Sequence, residues 1–335
     1  MIARRNIVLA LGVGALAPLT SFAQQPPNRI YRLGVLENTS VPNASNPNPF
    51  RQLFLAEMRK YGYVEGQNFI FERRYAEGKL ERLPQLAAEL VRSEVDLIMV
   101  NGTTTAAAAK NATGTIPIVM VLVSDPVAAG LVSSLARPGG NITGTMLNTG
   151  DITAKRLQLL KEAIPAVRRI GGFYAGEARH DPAVEKWLGD NDAAARALGL
   201  SFEAVDLGLR PERWDEVFGI ARKRKIDAVA IAEGGQYVVH RDRLAEIALK
   251  HRMPTIFPIR AQTEAGGLMS YGYNIADLLS RSVSLIDKIL RGARPADLPV
   301  EQPRTFEFVV NVKTASALGI KFPQSILIRA DRVIE

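Results

Sequence analysis

The segment DLIMVNGTTTAAAA, residues 96–109, decides the fold class of this chain. Residues 96–100 end in an unbroken apolar run, which is typical of a parallel strand that is buried on both faces. The small polar residues 101–104 and the alanine-rich stretch 106–109 then predict a loop that leads into a helix. The segment therefore predicts a strand–loop–helix unit.

Apolar runs of the same kind recur along the chain, and a helical pattern follows them. They span residues 33–36, 96–100, 116–123, 170–174, 228–232 and 255–259. Apolar side chains at helical spacing lie between or after these runs, most clearly at 50–61, 83–91 and 275–290. Strands that alternate with helices in this way indicate an α/β architecture.

The alternation restarts near residue 150, after the turn-rich break at 137–141, and this restart predicts two similar lobes. Two further turn-rich segments, 266–272 and 293–303, would carry the chain between the lobes again, so that three crossings join a hinged pair. The predicted divisions are a signal peptide at 1–23, an N-terminal lobe at 28–146 plus 272–300, and a C-terminal lobe at 147–271 plus 301–335.

The composition is that of an ordinary globular protein of 335 residues with no cysteine. The lack of cysteine excludes disulfides, thiolate metal sites and cysteine nucleophiles. Lys and Arg number 42 against 34 Asp and Glu, which gives a net charge of +8. The densest basic cluster, 222–225, closes a predicted helix, where basic residues complement the helix dipole. We therefore interpret the cluster as structural and expect no nucleic-acid partner.

The N-terminus has the features of a secretory signal peptide. Residues 4–5 are both arginine and precede the apolar stretch 7–19, and Ser21 and Ala23 occupy the small-residue positions of a cleavage site before Gln24. The paired arginines leave two export routes open, the general secretory (Sec) route and the twin-arginine route. We expect a soluble periplasmic protein, because no later apolar segment reaches the roughly 20 residues that a spanning helix needs.

Small polar residues follow three predicted strands of the first lobe, at the strand ends where open α/β sheets bind ligands. They are Asn38 and Thr39, then Gly102, Thr103 and Thr104, and finally Ser124 and Asp125. Residues 101–104 would form a carboxylate cradle from backbone N–H groups and hydroxyls, or Thr103 or Thr104 would simply cap the helix. Asp125 before Pro126 predicts a helix N-cap, or a carboxylate that also receives a ligand ammonium or hydroxyl.

In the second lobe, two predicted strand ends carry Tyr174 and Glu233. A carboxylate directly after an apolar strand is costly unless it is paired or solvated, so Glu233 either holds a cation in the cleft or forms a structural ion pair. Catalytic patterns are scarce, because the three histidines lack metal-ligand spacing and no nucleophile elbow, P-loop or dinucleotide fingerprint occurs. These observations disfavour an enzyme, and we expect no cofactor and no metal.

Seven motifs together resemble one family of binding proteins. They are YGYVEGQN at 61–68, ATGTIPIV at 112–119, SDPVAAGLV at 124–132, SLARPGGNITG at 134–144, GGLMSYG at 266–272, LPVEQP at 298–303 and RADRVIE at 329–335. They cover the chain after the leader nearly end to end, in order. The chain resembles the substrate-binding proteins of ABC importers, in the branch related to the tryptophan and tyrosine importers.

This resemblance implies a type I periplasmic-binding-protein fold, in which two Rossmann-like lobes, joined by three crossing segments, close on one small molecule. It also implies a membrane permease and an ATPase as partners, and no catalysis. Carried over by position, the cleft would be lined by Asn38, Thr39, Gly102, Thr103, Thr104, Ser124, Asp125, Tyr174, Glu233 and Tyr271. One departure leaves the ligand open: many relatives have Asn-Pro after the strand ending at Tyr174, where this chain has Ala175-Gly176-Glu177.

The sequence therefore predicts the solute-binding component of an ABC importer. We expect a monomer that captures a carboxylate-bearing ligand, an amino acid or an aromatic acid, by closing its hinge. Tyr174 and Tyr271 near the hydroxyl-rich loops favour an aromatic or apolar ligand body. The alternative is a periplasmic ligand sensor of the same fold that feeds a signalling receptor. Contact with the membrane is expected only through the permease.

Overall fold

A computed structural model describes residues 29–42, 48, 50–147, 150–176 and 182–335 of the chain. The predicted signal peptide, 1–23, and Glu177 lie outside the described residues. None of the helices in the described ranges combines the length and the apolar character that a membrane-spanning helix needs.

Five parallel strands form the first sheet. They are β1 (Tyr31–Glu37), β2 (Phe69–Tyr75), β3 (Leu97–Asn101), β4 (Ile118–Val123) and β5 (Ile142–Met146), and the helices between them are α1 (Arg51–Lys60), α2 (Leu83–Arg92) and α3 (Thr103–Ala112). The strand order is β2-β1-β3-β4-β5. The predicted apolar runs at 33–36, 96–100 and 116–123 thus form the three central strands, where both faces of the sheet are covered.

Seven strands form the second sheet. They are β6 (Arg169–Tyr174), β7 (Ser201–Asp206), β8 (Ala228–Ile231), β9 (Thr255–Phe257), β10 (Met269–Tyr273), β11 (Phe306–Asn311) and β12 (Arg332–Ile334). The helices of this half of the chain are α4 (Gly150–Ala163), α5 (Pro182–Ala197), α6 (Trp214–Lys223), α7 (Gly235–Val239), α8 (Arg241–Lys250), α9 (Arg260–Glu264), α10 (Ile275–Leu290), α11 (Val312–Leu318) and α12 (Gln324–Arg329). The order is β12-β11-β10-β9-β8-β6-β7, with β10 and β11 antiparallel and the other pairs parallel. Two mostly parallel sheets flanked by helices confirm the predicted α/β architecture.

Side-chain alternation along β1 decides which helices cover each face of the first sheet. Tyr31 and Leu33 pack with α1 and α10, whereas Leu36 packs on the opposite face with α2 and α3. Because successive side chains of a strand point to opposite faces, Val35 and Glu37 lie on the α1 and α10 face. The apolar stripe predicted for α10 is buried, and each such side chain contributes roughly 1.5–3 kcal/mol to stability.

The chain crosses between the two sheets at three places. It leaves the first sheet after β5, returns from β10 into α10, which packs on β4 and β5, and leaves again before β11. The second crossing lies two residues later than predicted, because β10 continues to Tyr273. The backbone of Glu301 still bonds to Gly144 and Met146 of β5, at 2.8 and 2.9 Å. The lobe limits 28–146 plus 272–300 and 147–271 plus 301–335 stay a prediction.

Candidate functional site

Loops at the carboxyl ends of strands from the two sheets approach one another. Thr39 and Ser40 follow β1, and Gly235 and Gln236 follow β8. Nε2 of Gln236 lies 3.5 Å from Oγ of Ser40. A Cβ atom built on Gly235 would lie only 2.9 Å from Cγ2 of Thr39. The loop after β1 and the start of α7, which follow strands that carry predicted site residues, therefore meet between the sheets.

The first turn of α3 presents backbone N–H groups and hydroxyls at the carboxyl end of β3. Its N-cap is Gly102, whose φ of +89° favours glycine and which has no side chain to cap the helix. The buried Thr105 donates its hydroxyl back to the carbonyl O of Asn101 at 2.7 Å. The hydroxyls of Thr103 and Thr104, both half-buried, make no hydrogen bond within the described part of the chain. The capping alternative for these two residues is therefore wrong, and the orphan N–H groups suit an anion.

Asp125 closes a turn directly after β4. Its Oδ1 accepts a hydrogen bond from the backbone N–H of Ala128 at 2.9 Å, and its carbonyl O accepts one from Ala129 at 3.0 Å. Residues 126–130 form turns, so Asp125 caps a turn, and the helix predicted after it is wrong. The second carboxylate oxygen makes no hydrogen bond to the described residues and can bind a ligand.

Three further candidates of the first lobe also lie at strand ends. Oδ1 of Asn38 is buried and has no hydrogen-bond partner among the described residues. The hydroxyl of Thr39 donates to Oε2 of Glu37 at 3.0 Å. Ser124 is half-buried directly after β4. Asn38 is the residue in greatest need of a donor, because an unpaired buried polar atom costs about 1–3 kcal/mol.

The two predicted aromatic residues pack within the second lobe. Tyr174 is only 4% exposed and contacts Trp187 and Ala232. The ring of Tyr271 stacks on Phe306, with 6.1 Å between the ring centroids. Burial raises the pKa of the Tyr271 hydroxyl. Both rings therefore already have packing partners in the second sheet and its helices.

Glu233 forms a buried ion pair with Arg156 of α4, a residue that sequence analysis did not identify. Nη1 of Arg156 lies 2.7 Å from Oε1 of Glu233, and its Nε donates to the carbonyl O of Tyr271 at 2.7 Å. The side chain of Arg156 is 4% exposed and that of Glu233 is 24% exposed. Nη2 of Arg156 is buried without a partner in the described ranges. Of the two alternatives for Glu233, the structure contains the ion pair.

An apolar cavity of about 90 Å³ opens at the carboxyl end of the first sheet. It lies between the sheet and the first turns of α1 and α10. Its apolar walls include Val35, Phe50, Phe54, Phe71, Met99, Val121, Leu278 and Leu279, and its polar lining includes Glu37, Arg73 and Asn101. Sequence analysis missed this cavity, although strand alternation already puts Val35 and Glu37 on one face.

Comparison with known proteins identifies the family. The model of the family described as ABC transporter substrate binding protein matches residues 50–334. The chain belongs to this family. Its members bind solutes and are not enzymes, which agrees with the prediction from the sequence.

Individual relatives support the same assignment. A tyrosine-binding protein of Clostridioides difficile (strain R20291) is 28% identical over 270 residues, which are 80% of this chain and 76% of the relative. An ABC domain from Streptococcus pneumonia, solved in complex with L-Trp, is 26% identical with a TM-score of 0.77, over 91% of this chain and 99% of that chain. A ligand-free, open substrate-binding protein with adhesive properties from Clostridium difficile is 26% identical with a TM-score of 0.60, over the same shares. The predicted family and periplasmic-binding-protein fold are confirmed.

Proposed function

We propose that this protein is the periplasmic solute-binding component of an ABC importer. It captures a small carboxylate-bearing ligand, an amino acid or an aromatic acid, between its lobes. The first turn of α3 carries this proposal, because its orphan N–H groups and the hydroxyls of Thr103 and Thr104 can bind a carboxylate. The relatives support the ligand class, since one is a tyrosine-binding protein and another was solved with L-Trp.

Hinge closure is part of this proposal. Gly235 and Gln236 approach Thr39 and Ser40 from the other lobe. At the same identity of 26%, the chain matches the L-Trp complex with a TM-score of 0.77 and the open, ligand-free structure with one of 0.60. Both observations support an arrangement near a closed form, which a ligand that contacts both lobes would stabilise.

The remaining parts of the proposal concern the site and its partners. The proposed cleft residues are Asn38, Thr39, Gly102, Thr103, Thr104, Ser124, Asp125, Tyr174, Glu233 and Tyr271. The mature protein would act in the periplasm as a monomer, after export by the Sec or twin-arginine route and removal of residues 1–23. Its closed form would deliver the ligand to a permease that an ATPase drives.

A thermal-shift screen against amino acids, aromatic acids and small carboxylates tests this function. A ligand at a hundredfold excess over its Kd stabilises the folded state by about 2.7 kcal/mol, which raises the melting midpoint by a few degrees. The bound compound should be recovered unchanged. A screen in which no compound raises the midpoint would refute the proposed ligand class.

A double variant then tests the carboxylate cradle. Thr103→Ala combined with Asp125→Ala should weaken binding of the identified ligand by about 10-fold or more, because Thr103 no longer donates to the ligand carboxylate and Asp125 no longer accepts from a ligand hydroxyl or ammonium group. The matched control, Thr115→Ala combined with Asp192→Ala, changes the same residue types at solvent-facing positions after α3 and on α5. Equal affinities of the two double variants would refute the cradle.

A further inference from the structure

Glu37, the last residue of β1, borders the apolar cavity. Leu33, Val35 and Glu37 alternate onto the face that α1 and α10 cover, and both Val35 and Glu37 line the cavity. The Glu37 side chain is only 14% exposed. Its carboxyl group therefore lies where the apolar walls end and the carboxyl edge of the sheet begins.

The carboxyl group of Glu37 has one hydrogen bond and one loose ion pair. Its Oε2 accepts from the hydroxyl of Thr39 at 3.0 Å. The nearest guanidinium nitrogen, Nη1 of Arg73, lies 3.9 Å from Oε1, which is beyond hydrogen-bond distance. The Arg73 guanidinium is instead held over the ring of Phe71, 4.1 Å from its centroid. Burial raises the pKa of Glu37 despite its hydrogen bond and Arg73, so these two partners offset only part of the desolvation of the ionised group.

The other two carboxylates of the proposed cleft are better compensated, one by a close ion pair and one by a hydrogen bond together with solvent. Glu233 is paired with Arg156 at 2.7 Å. Asp125 accepts a hydrogen bond from the backbone of its own turn. Among the carboxylates in the described part of the cleft, Glu37 is therefore the buried one whose negative charge is least compensated. It would attract an entering cation most strongly.

We propose that Glu37 binds the ammonium group of the ligand while the adjacent cavity takes the ligand's apolar body. The inference rests on the proposed function and narrows its ligand class to amino acids with an apolar or aromatic side chain. An acid without the ammonium group would bring a second negative charge towards Glu37 and would leave Oε1 without a hydrogen-bond donor. Glu37 would therefore cause the protein to bind an amino acid more tightly than the corresponding deaminated acid.

Titration calorimetry with matched ligand pairs tests this assignment. The pairs are L-phenylalanine and phenylpropionate, L-tryptophan and indolepropionate, and L-leucine and isocaproate. Wild-type protein should bind one amino acid at least about 10-fold more tightly than its deaminated partner, the effect of one hydrogen bond between charged groups. In Glu37→Gln this ratio should fall to about 3-fold or less, with the deaminated acid bound at least as well as before, because the like-charge repulsion is removed.

Two control variants keep the test specific. Glu72→Gln changes a β2 residue on the opposite face of the sheet, where Glu72 pairs with Arg32 at 2.9 Å, and should keep the wild-type ratio. Asp125→Asn tests the competing acceptor of the ammonium group, because Oδ1 of Asp125 accepts from its own turn and its second carboxylate oxygen is open to a ligand. A Glu37→Asp variant, which retains the charge on a shorter side chain, should give an intermediate ratio and serves if Glu37→Gln does not fold.

The outcomes separate this inference from the proposed function. If wild-type protein binds both members of a pair equally, or if Asp125→Asn rather than Glu37→Gln loses the preference, the assignment to Glu37 is overturned while solute binding stands. If neither class of compound binds wild-type protein, the proposed ligand class fails and the assignment fails with it. The assignment is supported if the affinity ratio between amino acid and deaminated acid falls in Glu37→Gln and keeps its wild-type value in Glu72→Gln.

Discussion

Replacing Arg156 with methionine would remove the positive member of a buried ion pair while keeping an unbranched stem in its place. Glu233 would then lose its partner. Its side chain is 24% exposed, so water would compensate the unpaired negative charge only in part. Removal of one member of a buried pair costs about 3–5 kcal/mol, and this partial exposure puts the expectation near the lower limit. The lost hydrogen bond to the carbonyl O of Tyr271 adds about 1 kcal/mol. We expect Arg156→Met to lower the free energy of unfolding by about 4 kcal/mol.

Urea denaturation followed by tryptophan fluorescence measures this loss. The two tryptophans, Trp187 and Trp214, are buried in helices that pack on the second sheet, which also holds the ion pair. Arg32→Met is the matched control, because it breaks a pair with Glu72 whose side chains are 44% and 25% exposed, and it should cost less than about 1 kcal/mol. Equal losses in Arg156→Met and Arg32→Met would refute the reasoning.

A second substitution in the Arg156→Met background checks the cause of the loss. Glu233→Gln removes the charge that the first substitution leaves unpaired, so the double variant should regain part of the lost free energy. If the two losses simply add, the charge of Glu233 is not the source of the penalty.

Three other substitutions test the close backbone approach at Gly272, the burial of Glu37 and the contact between the lobes at Gly235. Gly272→Ala should lower the melting midpoint strongly, because a Cβ atom there would lie 1.7 Å from the carbonyl O of Pro258. Glu37→Gln should stabilise the ligand-free protein at neutral pH, because burial raises the pKa of Glu37 and the ionised form disfavours folding. That penalty is absent below the ordinary pKa of 4.5 and grows as the pH rises through the raised pKa of Glu37. Melting midpoints of both proteins, measured against pH, will show this dependence. Gly235→Val should weaken ligand binding in calorimetry with little loss of stability, because its side chain would meet Thr39 across the lobes.

Matched substitutions control these three tests. Gly114→Ala adds a Cβ atom with nothing within 4 Å and should leave the midpoint nearly unchanged, so an equal effect of Gly272→Ala would contradict the close approach. A wild-type protein more stable than Glu37→Gln at neutral pH would argue against the burial effect. Gly140→Val, also in open space, should bind ligand normally. Unchanged affinity in Gly235→Val would show that the lobes do not close at this point.

Each apolar run of the sequence forms a strand inside a sheet, but the runs miss other strands, including β10 and β11 inside the second sheet. The strands β1, β3, β4, β6 and β8 lie inside their sheets, where both faces are covered and nearly every residue is apolar. By contrast, β2 and β7 lie at sheet edges. Charged residues occur within β2 at 72–74, and β7 is mostly exposed or half-buried. A search for unbroken apolar runs therefore passes over both edge strands.

The strand-end loops could be predicted because parallel topology alone brings them to one edge. Arg156 could not, since a charged residue within a helical stripe has the same local pattern as a solvated one, and its partner Glu233 follows 77 residues later. The same limit applies to Thr105, which differs from Thr103 and Thr104 in sequence only by position. The hydroxyl of Thr105 donates back to carbonyl groups of the loop, whereas those of Thr103 and Thr104 do not. The direction in which each side chain leaves the helix causes this difference, and composition does not show it.

The wall of the apolar cavity is continuous with the segments where the chain crosses between the sheets. Leu278 lines the cavity and also packs with Leu147, Ile152 and Tyr273, which flank the first two crossings. Leu122 belongs to both groups, and its φ of +59° at the irregular end of β4 is a strained conformation outside glycine. Because close-packed side chains transmit small displacements, an apolar ligand body in the cavity would act on both crossings through Leu278 and Leu122. If the proposed function holds, binding of the apolar body and closure of the hinge would be coupled through these contacts.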